Sequence, residues 1–254
     1  MRVLGIFSAA IILFAAAGFA QQNYTMELTG VADQASANGV YVSPYQGNIW
    51  TGQYTGGNAP TTTPAYSGYV ICDDYTDESL LNDPWNAVAT NAASLDGTEL
   101  FTGGYTDPTA DSPLWAANQH FTAQQSYNAV AWLANQLLLS GNVTNPTNQT
   151  NISFAIWNIM DNNQAGDPDG GDTTYITQAF AAVLHDGYVG SNVTVFTPAP
   201  KADPGKKNVS QEFLVVNGPF QTPEPNGVAV LGIDLLSALA LLCLVVYNRS
   251  RVRT

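Results

Sequence analysis

The chain reads as an α+β protein: a strand-rich single ectodomain with a central helical segment, between an N-terminal signal peptide and one C-terminal transmembrane helix. Three observations lead there. Turn-punctuated strand patterns fill the first part of the chain and return after residue 190, a helical period holds between 122 and 186, and an apolar run stands near each end of the 254 residues. The divisions are a signal peptide over 1–20, an ectodomain over 21–216, a linker over 217–227, a membrane helix over 228–247 and a basic tail over 248–254.

At the start, Arg2 precedes an apolar stretch over 3–14 and then Ala15-Ala16-Ala17-Gly18-Phe19-Ala20. Small residues at the minus-three and minus-one positions of a cut after Ala20 make this a signal-peptide pattern. Strands are expected over 24–28, 40–42, 49–54 and 68–75, separated by Gly, Pro, Asn, Ser and Thr clusters, with loops over 61–64 and 106–113. The period then changes. Tyr127, Val130, Ala131, Ala134, Leu137 and Leu138 recur at helical spacing, and Thr122 with Gln125 forms a capping box, which predicts a helix over 122–140.

Residues 141–150 read as a polar loop. A buried helix over 151–160 carries Ile152, Ala155, Ile156, Ile159 and Met160, and a further one over 175–186 carries Ile176, Phe180, Val183 and Leu184. Gly187 stands where a helix end favours a left-handed residue. Strands return over 193–197 and 212–216, joined by a loop over 201–209, and 217–222 is a tether to the end of the chain.

The apolar run over 228–246 rises about 28 Å as a helix, close to the roughly 30 Å hydrocarbon layer of a bilayer. Asp234 opposes insertion by at most about 2.5–3.5 kcal/mol, which the surrounding Leu, Ile and Val residues offset. Arg249, Arg251 and Arg253 act as a membrane stop and favour a cytoplasmic C-terminus by the positive-inside rule. The body of the chain is therefore expected on the exported side.

Pro223-Glu224-Pro225, the small Gly227, the Leu-rich span and the arginine tail together resemble the PEP-CTERM sorting signal of bacterial exosortase substrates. The resemblance implies a protein held in the inner membrane with its ectodomain in the periplasm. An exosortase-type enzyme then removes the tail, leaving the protein at the cell surface or outside the cell. It also implies association with extracellular polysaccharide or biofilm. Asp234 departs from the usual uncharged span.

Charge narrows the partners. No Lys or Arg lies between Val3 and Pro200, where sixteen Asp and Glu residues fall between 21 and 200, and the formal net charge is −13. Such a surface repels phosphate backbones and anionic lipid, which argues against nucleic acid and suits cations or plain solubility. The two cysteines, Cys72 and Cys243, fall in the ectodomain and in the membrane segment, so no internal disulfide is expected. Cys72 is either a reactive thiol or a buried filler.

Tyr69-Val70-Ile71-Cys72-Asp73-Asp74, the helix from Tyr127 and Phe154-Ala155-Ile156-Trp157, in that order, resemble the thioester domains of bacterial surface proteins over roughly 68–187. Those domains join an early cysteine to a glutamine two positions before Ala-Ile-Trp. The resemblance therefore assigns the thioester-like positions to Cys72 and Ser153. Serine has no carboxamide carbon for a thiol to attack, so the crosslink is expected to be lost even where the fold is kept.

Asp161, Asn163, Asp167, Asp169 and Asp172, with Gly166 at the sixth position, approximate a calcium loop, although Ala165 and the absence of a terminal Glu depart from it. Ca2+ is thus the single candidate cofactor, a hydrated loop being the competing reading. Asp73, Asp74, Asp77 and Glu78 form a second acidic cluster; strand alternation would send Asp73 and Asp74 to opposite faces. His120 and His185 have no partner at metal-ligand spacing and no Gly-x-Ser-x-Gly occurs, so no catalytic residue is assigned.

The function expected from these features is that of a noncatalytic exported surface or extracellular-matrix protein sorted through its PEP motif. The alternatives are a covalent thioester adhesin using Cys72 and a carbohydrate-active hydrolase with two carboxylates. Trp50, Tyr54, Trp85 and Trp115 are the candidates for stacking on sugars, with core packing the alternative for each.

Overall fold

The computed structural model describes residues 22–32, 35–107, 115, 118–166, 170–199 and 210–220. The strands are β1 (Asn23–Val31), β2 (Ser36–Ala37), β3 (Val40–Tyr41), β4 (Tyr45–Thr51), β5 (Tyr66–Cys72), β6 (Trp85–Asn91), β7 (Val193–Pro198) and β8 (Phe213–Val216). The helices are α1 (Ala123–Leu137), α2 (Ser140–Val143), α3 (Pro146–Met160) and α4 (Asp172–Leu184). The α+β, strand-rich class expected from the sequence holds. Signal peptide, sorting motif and membrane segment lie outside the described residues, among which no helix is long and apolar enough to cross a membrane.

Six antiparallel strands close a barrel in the order β1-β4-β5-β8-β7-β6, with β6 pairing back to β1, while β2 and β3 form a separate two-stranded hairpin. Closure leaves the barrel strands without free edges. Side-chain alternation divides the core in two. Tyr24, Met26, Leu28, Ile49, Val70, Cys72, Trp85, Phe196, Phe213 and Val215 belong to one buried cluster, the barrel interior. Ile71, Val193, Val195 and Leu214, out of phase with them, join the buried faces of α1, α3 and α4 in the other. Each such large side chain contributes about 1.5–3 kcal/mol on burial.

The helices follow their local signals. Thr122 caps α1 through the expected reciprocal box with Gln125. Gly187 takes φ +68°, and the Tyr188 N–H turns back to the Ala182 carbonyl at 3.0 Å, closing the end of α4. The polar stretch over 141–150 is not a loop. It folds as α2 and the first turn of α3, because the Asn145 side chain accepts from the N–H groups of Thr147 and Asn148 and Pro146 occupies the first helical turn. The helix over 175–186 begins earlier, at Asp172, whose carboxylate in the first turn complements the helix dipole.

Strand expectations are also corrected: the strand placed over 68–75 is β5, Tyr66–Cys72, and ends three residues early. The strand placed over 49–54 runs over Tyr45–Thr51, and β6 was missed altogether. In Trp85-Asn86-Ala87-Val88-Ala89-Thr90 every residue is buried, since both faces of this strand are covered, and the alternation that marks a half-buried strand is absent.

Phe121 and Phe180 stack at 3.9 Å between ring centroids, with Tyr105 beside Phe180 at 5.4 Å. This stack joins the segment before α1 to α4. Gly104 makes it possible: its φ is +74°, and a Cβ there would lie 2.0 Å from the Phe121 carbonyl oxygen. Gly104→Ala should cost about 2–5 kcal/mol, the sum of left-handed strain and overpacking, read as a fall in the urea midpoint. An unchanged midpoint would contradict this account of the close approach.

Candidate functional site

The end of β5 is where chemistry-bearing side chains meet. Alternation carries Cys72 into the barrel interior, fully buried, and its S–H donates to the Asp74 carbonyl at 3.0 Å. Ser43, just before β4, links it to the helices. The Cys72 N–H donates to Ser43 Oγ at 3.0 Å, and the Ser43 N–H donates to Ser153 Oγ of α3 at 3.1 Å. One turn further along α3, the Trp157 indole N–H donates to the Cys72 carbonyl at 3.1 Å.

Cys72, Ser153 and Trp157 are thus brought together although the first two stand 81 positions apart in the sequence. Ser153 is fully buried and its hydroxyl is an acceptor in a backbone-anchoring chain. Burial foremost, then the charges of Asp73 and Asp74, push the Cys72 thiol well above its ordinary range, opposite to what a nucleophilic thiolate requires. Gln149 is turned away, its side-chain amide donating to the Val143 carbonyl, and Gln178 is exposed on α4.

Immediately after Cys72 the strand stops, so alternation no longer governs the next residues. Asp73 and Asp74 do not face opposite ways: both line one cavity of about 170 Å3 with Thr76, Asp77, Leu100, Phe101, Met160, Asp161 and Glu212. Glu212 enters from the residue before β8 and is fully engaged. It accepts from the Tyr127 and Thr197 hydroxyls and, at 3.1 Å, from the Leu100 N–H. Asp74 Oδ1 accepts from the N–H and hydroxyl of Thr76 and from the Asp77 N–H, and Asp161 Oδ2 accepts from the Tyr75 N–H at 2.7 Å.

Asp73 differs from its neighbours. It is 1% exposed, and neither carboxylate oxygen has a hydrogen-bond partner; Asp74 Oδ2 has none either. Burial, then the charges of Glu212 and Asp74, drive Asp73 well above the usual carboxylate range. Burial pushes Asp161 up to about 6, and both Asp77 and Glu212 are raised as well. No Lys or Arg occurs among the described residues, so no side-chain cation there offsets these charges.

Beside this cavity, and sharing Asp77 with it, runs a groove of about 520 Å3. Tyr41, Tyr45, Tyr75 and Trp157 supply its aromatic lining, Leu80 and Leu81 its apolar rim, and Asp77, Glu78, Ser79 and Gln211 its polar groups. Tyr41 is 53% exposed and Leu80 58%. Reading the sequence missed this groove. The pattern around Val40-Tyr41 and Leu80-Leu81 has no distinguishing period, and the two segments meet only because the hairpin and the turn after β5 lie on the same side of the barrel wall.

The four aromatics singled out from the sequence are not on it. Trp85 is fully buried against Phe213, Trp50 is buried with its N–H on the Thr62 carbonyl, Tyr54 donates to the Gly57 carbonyl, and Trp115 packs edge-on against Phe121 and Phe180. The three tryptophans went into packing, and Tyr54, half-buried, closes a turn. Of the calcium-loop residues, Asp167 and Asp169 lie outside the described residues, and the rest diverge. Asp161 faces the acidic cavity, Asn163 bonds the Tyr105 hydroxyl and the Thr106 carbonyl, and Asp172 accepts from the Asn158 side chain at 2.6 Å. Among the described residues no group of three His, Cys, Asp or Glu side chains is arranged to hold a metal ion.

Two measurements check this site. Ser153→Ala would strand the buried Ser43 N–H and should cost about 1–3 kcal/mol in urea unfolding. The carboxylates carry a pH signature: each raised group binds a proton in the folded state that the unfolded chain, with Asp near 3.9, does not hold. For Asp161 the stability contributed is complete below about pH 4 and is lost as pH rises through about 6, and the raised Asp73, Asp77 and Glu212 act in the same direction. The melting temperature should therefore be higher at pH 5 than at pH 7.5, and Asp161→Asn should shrink the difference. Comparison with protein-family models, with curated proteins and with solved structures finds no match to this chain.

Proposed function

We propose that this chain is a noncatalytic exported surface or extracellular-matrix protein, sorted through Pro223-Glu224-Pro225, whose ectodomain associates with extracellular polysaccharide through the groove beside β5. The observation that carries the reading is the groove itself: exposed Tyr41 and half-buried Tyr75 stand over a cleft whose polar groups, Ser79, Gln211, Asp77 and Glu78, are spaced among apolar walls. Aromatic faces that stack on sugar rings, with a few polar groups to fix orientation, suit a neutral or cationic glycan and repel an anionic one. The buried, hydrogen-bonded Cys72 beside Ser153 supports non-covalent attachment over a thioester.

Three results test this. Mass spectrometry of the exported protein should find the chain starting near residue 21 and ending near the Pro-Glu-Pro motif; a full-length polypeptide with leader and tail uncut would refute the sorting. After denaturation, Cys72 should alkylate fully at the mass expected for an unmodified chain, whereas a deficit of one ammonia would restore the covalent reading. Co-sedimentation with polysaccharide from the producing cells should weaken about fivefold or more in Tyr41→Ala, as expected when an anchoring aromatic worth over about 1 kcal/mol is removed.

A further inference from the structure

The acidic cavity poses a problem that the polysaccharide reading does not address. Asp73 is buried with two oxygens that no other residue's donor satisfies, and Asp74 Oδ2 beside it has no hydrogen-bond partner either. A buried carboxylate without partners is costly, and a chain relieves that cost by a proton or by a cation. Among the described residues there is no Lys or Arg to provide one, and the two histidines lie elsewhere, His120 against Thr106 and His185 exposed at the end of α4. The remaining carboxylate oxygens with partners are held by Thr76, Asp77, Tyr75, Leu100, Tyr127 and Thr197.

We propose that this cavity is a receptor for a primary alkylammonium group, the ammonium seated on Asp73 and Asp74 and its methylene stem lying against Leu100, Phe101 and Met160. The chemistry selects this ligand on three grounds. Asp73 and Asp74, which line the cavity, carry three buried oxygens with no hydrogen-bond partner, and an ammonium carries three N–H donors. Calcium wants six to eight oxygens, and the described residues hold no metal-ready trio. The lining is divided between carboxylates and the apolar side chains of Leu100, Phe101 and Met160, which a hydrated ion would not use and an aliphatic stem would cover. A volume of about 170 Å3 gives such a stem room. The inference is independent of tail processing and of the adjoining groove.

The test is calorimetric titration of the full chain in nonionic detergent at neutral pH and low salt. n-Butylammonium should bind saturably at one site, and Asp73→Asn should weaken it tenfold or more, with Asp186→Asn as the remote-charge control unchanged. Asp74→Asn keeps an oxygen for Thr76 and Asp77 while removing a charge, so it should also weaken binding several-fold and serves if Asp73→Asn does not fold. Nα-acetyl-lysine methylamide binding tighter than spermidine would assign the ammonium to a protein partner's lysine; the reverse order would assign it to a free polyamine. The proposal is overturned by the absence of saturable butylammonium binding, by equal binding of tetramethylammonium, which has no N–H, by stoichiometric Ca2+ binding that excludes the amine, by glucosamine binding more tightly than butylammonium, or by binding that neither aspartate variant changes.

Discussion

The contact on which the site depends is the seam between α3 and the end of β5. Ser153 and Trp157, one turn apart, hold the same short stretch of barrel: one through Ser43, the other directly on the Cys72 carbonyl. These are buried hydrogen bonds between backbone and side chain, each worth only about 1 kcal/mol net but costly to leave unmade. Their consequence is positional. With Trp157 pinned over Cys72, the next turn of α3 places Met160 and Asp161 against Asp73 and Asp74, and the cavity acquires its second wall. The seam also fits a cysteine there: its thiol is inside the barrel, hydrogen-bonded to the Asp74 carbonyl and raised well above its ordinary range by burial.

Within the cavity, two acids of similar burial are both raised but differ in their partners. Glu212 is surrounded by donors from three elements, two hydroxyls and an N–H, and these oppose the upward push of burial. Asp73 receives no donor from another residue, and the opposing pull of its own backbone N–H is outweighed by burial and the charges of Glu212 and Asp74. Glu212 is thus part of the framework that joins α1, β7 and the segment before β8, while Asp73 is a group held ready for something that the framework does not provide. The general lack of basic side chains sharpens the contrast, since the ion pairs that make most proteins lose stability in acid have no counterpart among the described residues.

The groove and the cavity adjoin at Asp77, and both are built from the stretch that follows β5. This stretch is held from two sides. Asp74 organises it as a turn through Thr76 and Asp77, and Gln211 clamps it from the strand β8 side, donating to the Asp74 carbonyl at 2.7 Å and accepting from the Ser79 N–H. The recognition surface we propose would, set on such a turn, be better ordered than a free loop of the same length, which favours binding by limiting the entropy lost on association.

Local rules decided what was legible in the sequence. The capping box at Thr122, the helical spacing from Tyr127, the left-handed Gly187 and the strands around Met26 and Val195 follow from interactions within a few residues and stand where the pattern put them, while the strand around Val70 exists but ends at Cys72 and not at residue 75. The resemblance to thioester domains implied that Cys72 and Ser153 lie together, and the structure joins them through Ser43, with Trp157 on the Cys72 carbonyl. The helix start at Asn145-Pro146 was a local signal hidden in a polar stretch, and the rest depended on partners distant in the chain. Strand β6 loses its alternation because tertiary packing covers both faces, Asp73 and Asp74 share a cavity because β5 ends one residue before them, and the conspicuous tryptophans were absorbed by packing. Sequence by itself determined which segments can be helix or strand and how charge is distributed; only the closed barrel and the helices laid on it decided which buried carboxylate would lack a partner, because that is a property of the surroundings and not of the residue.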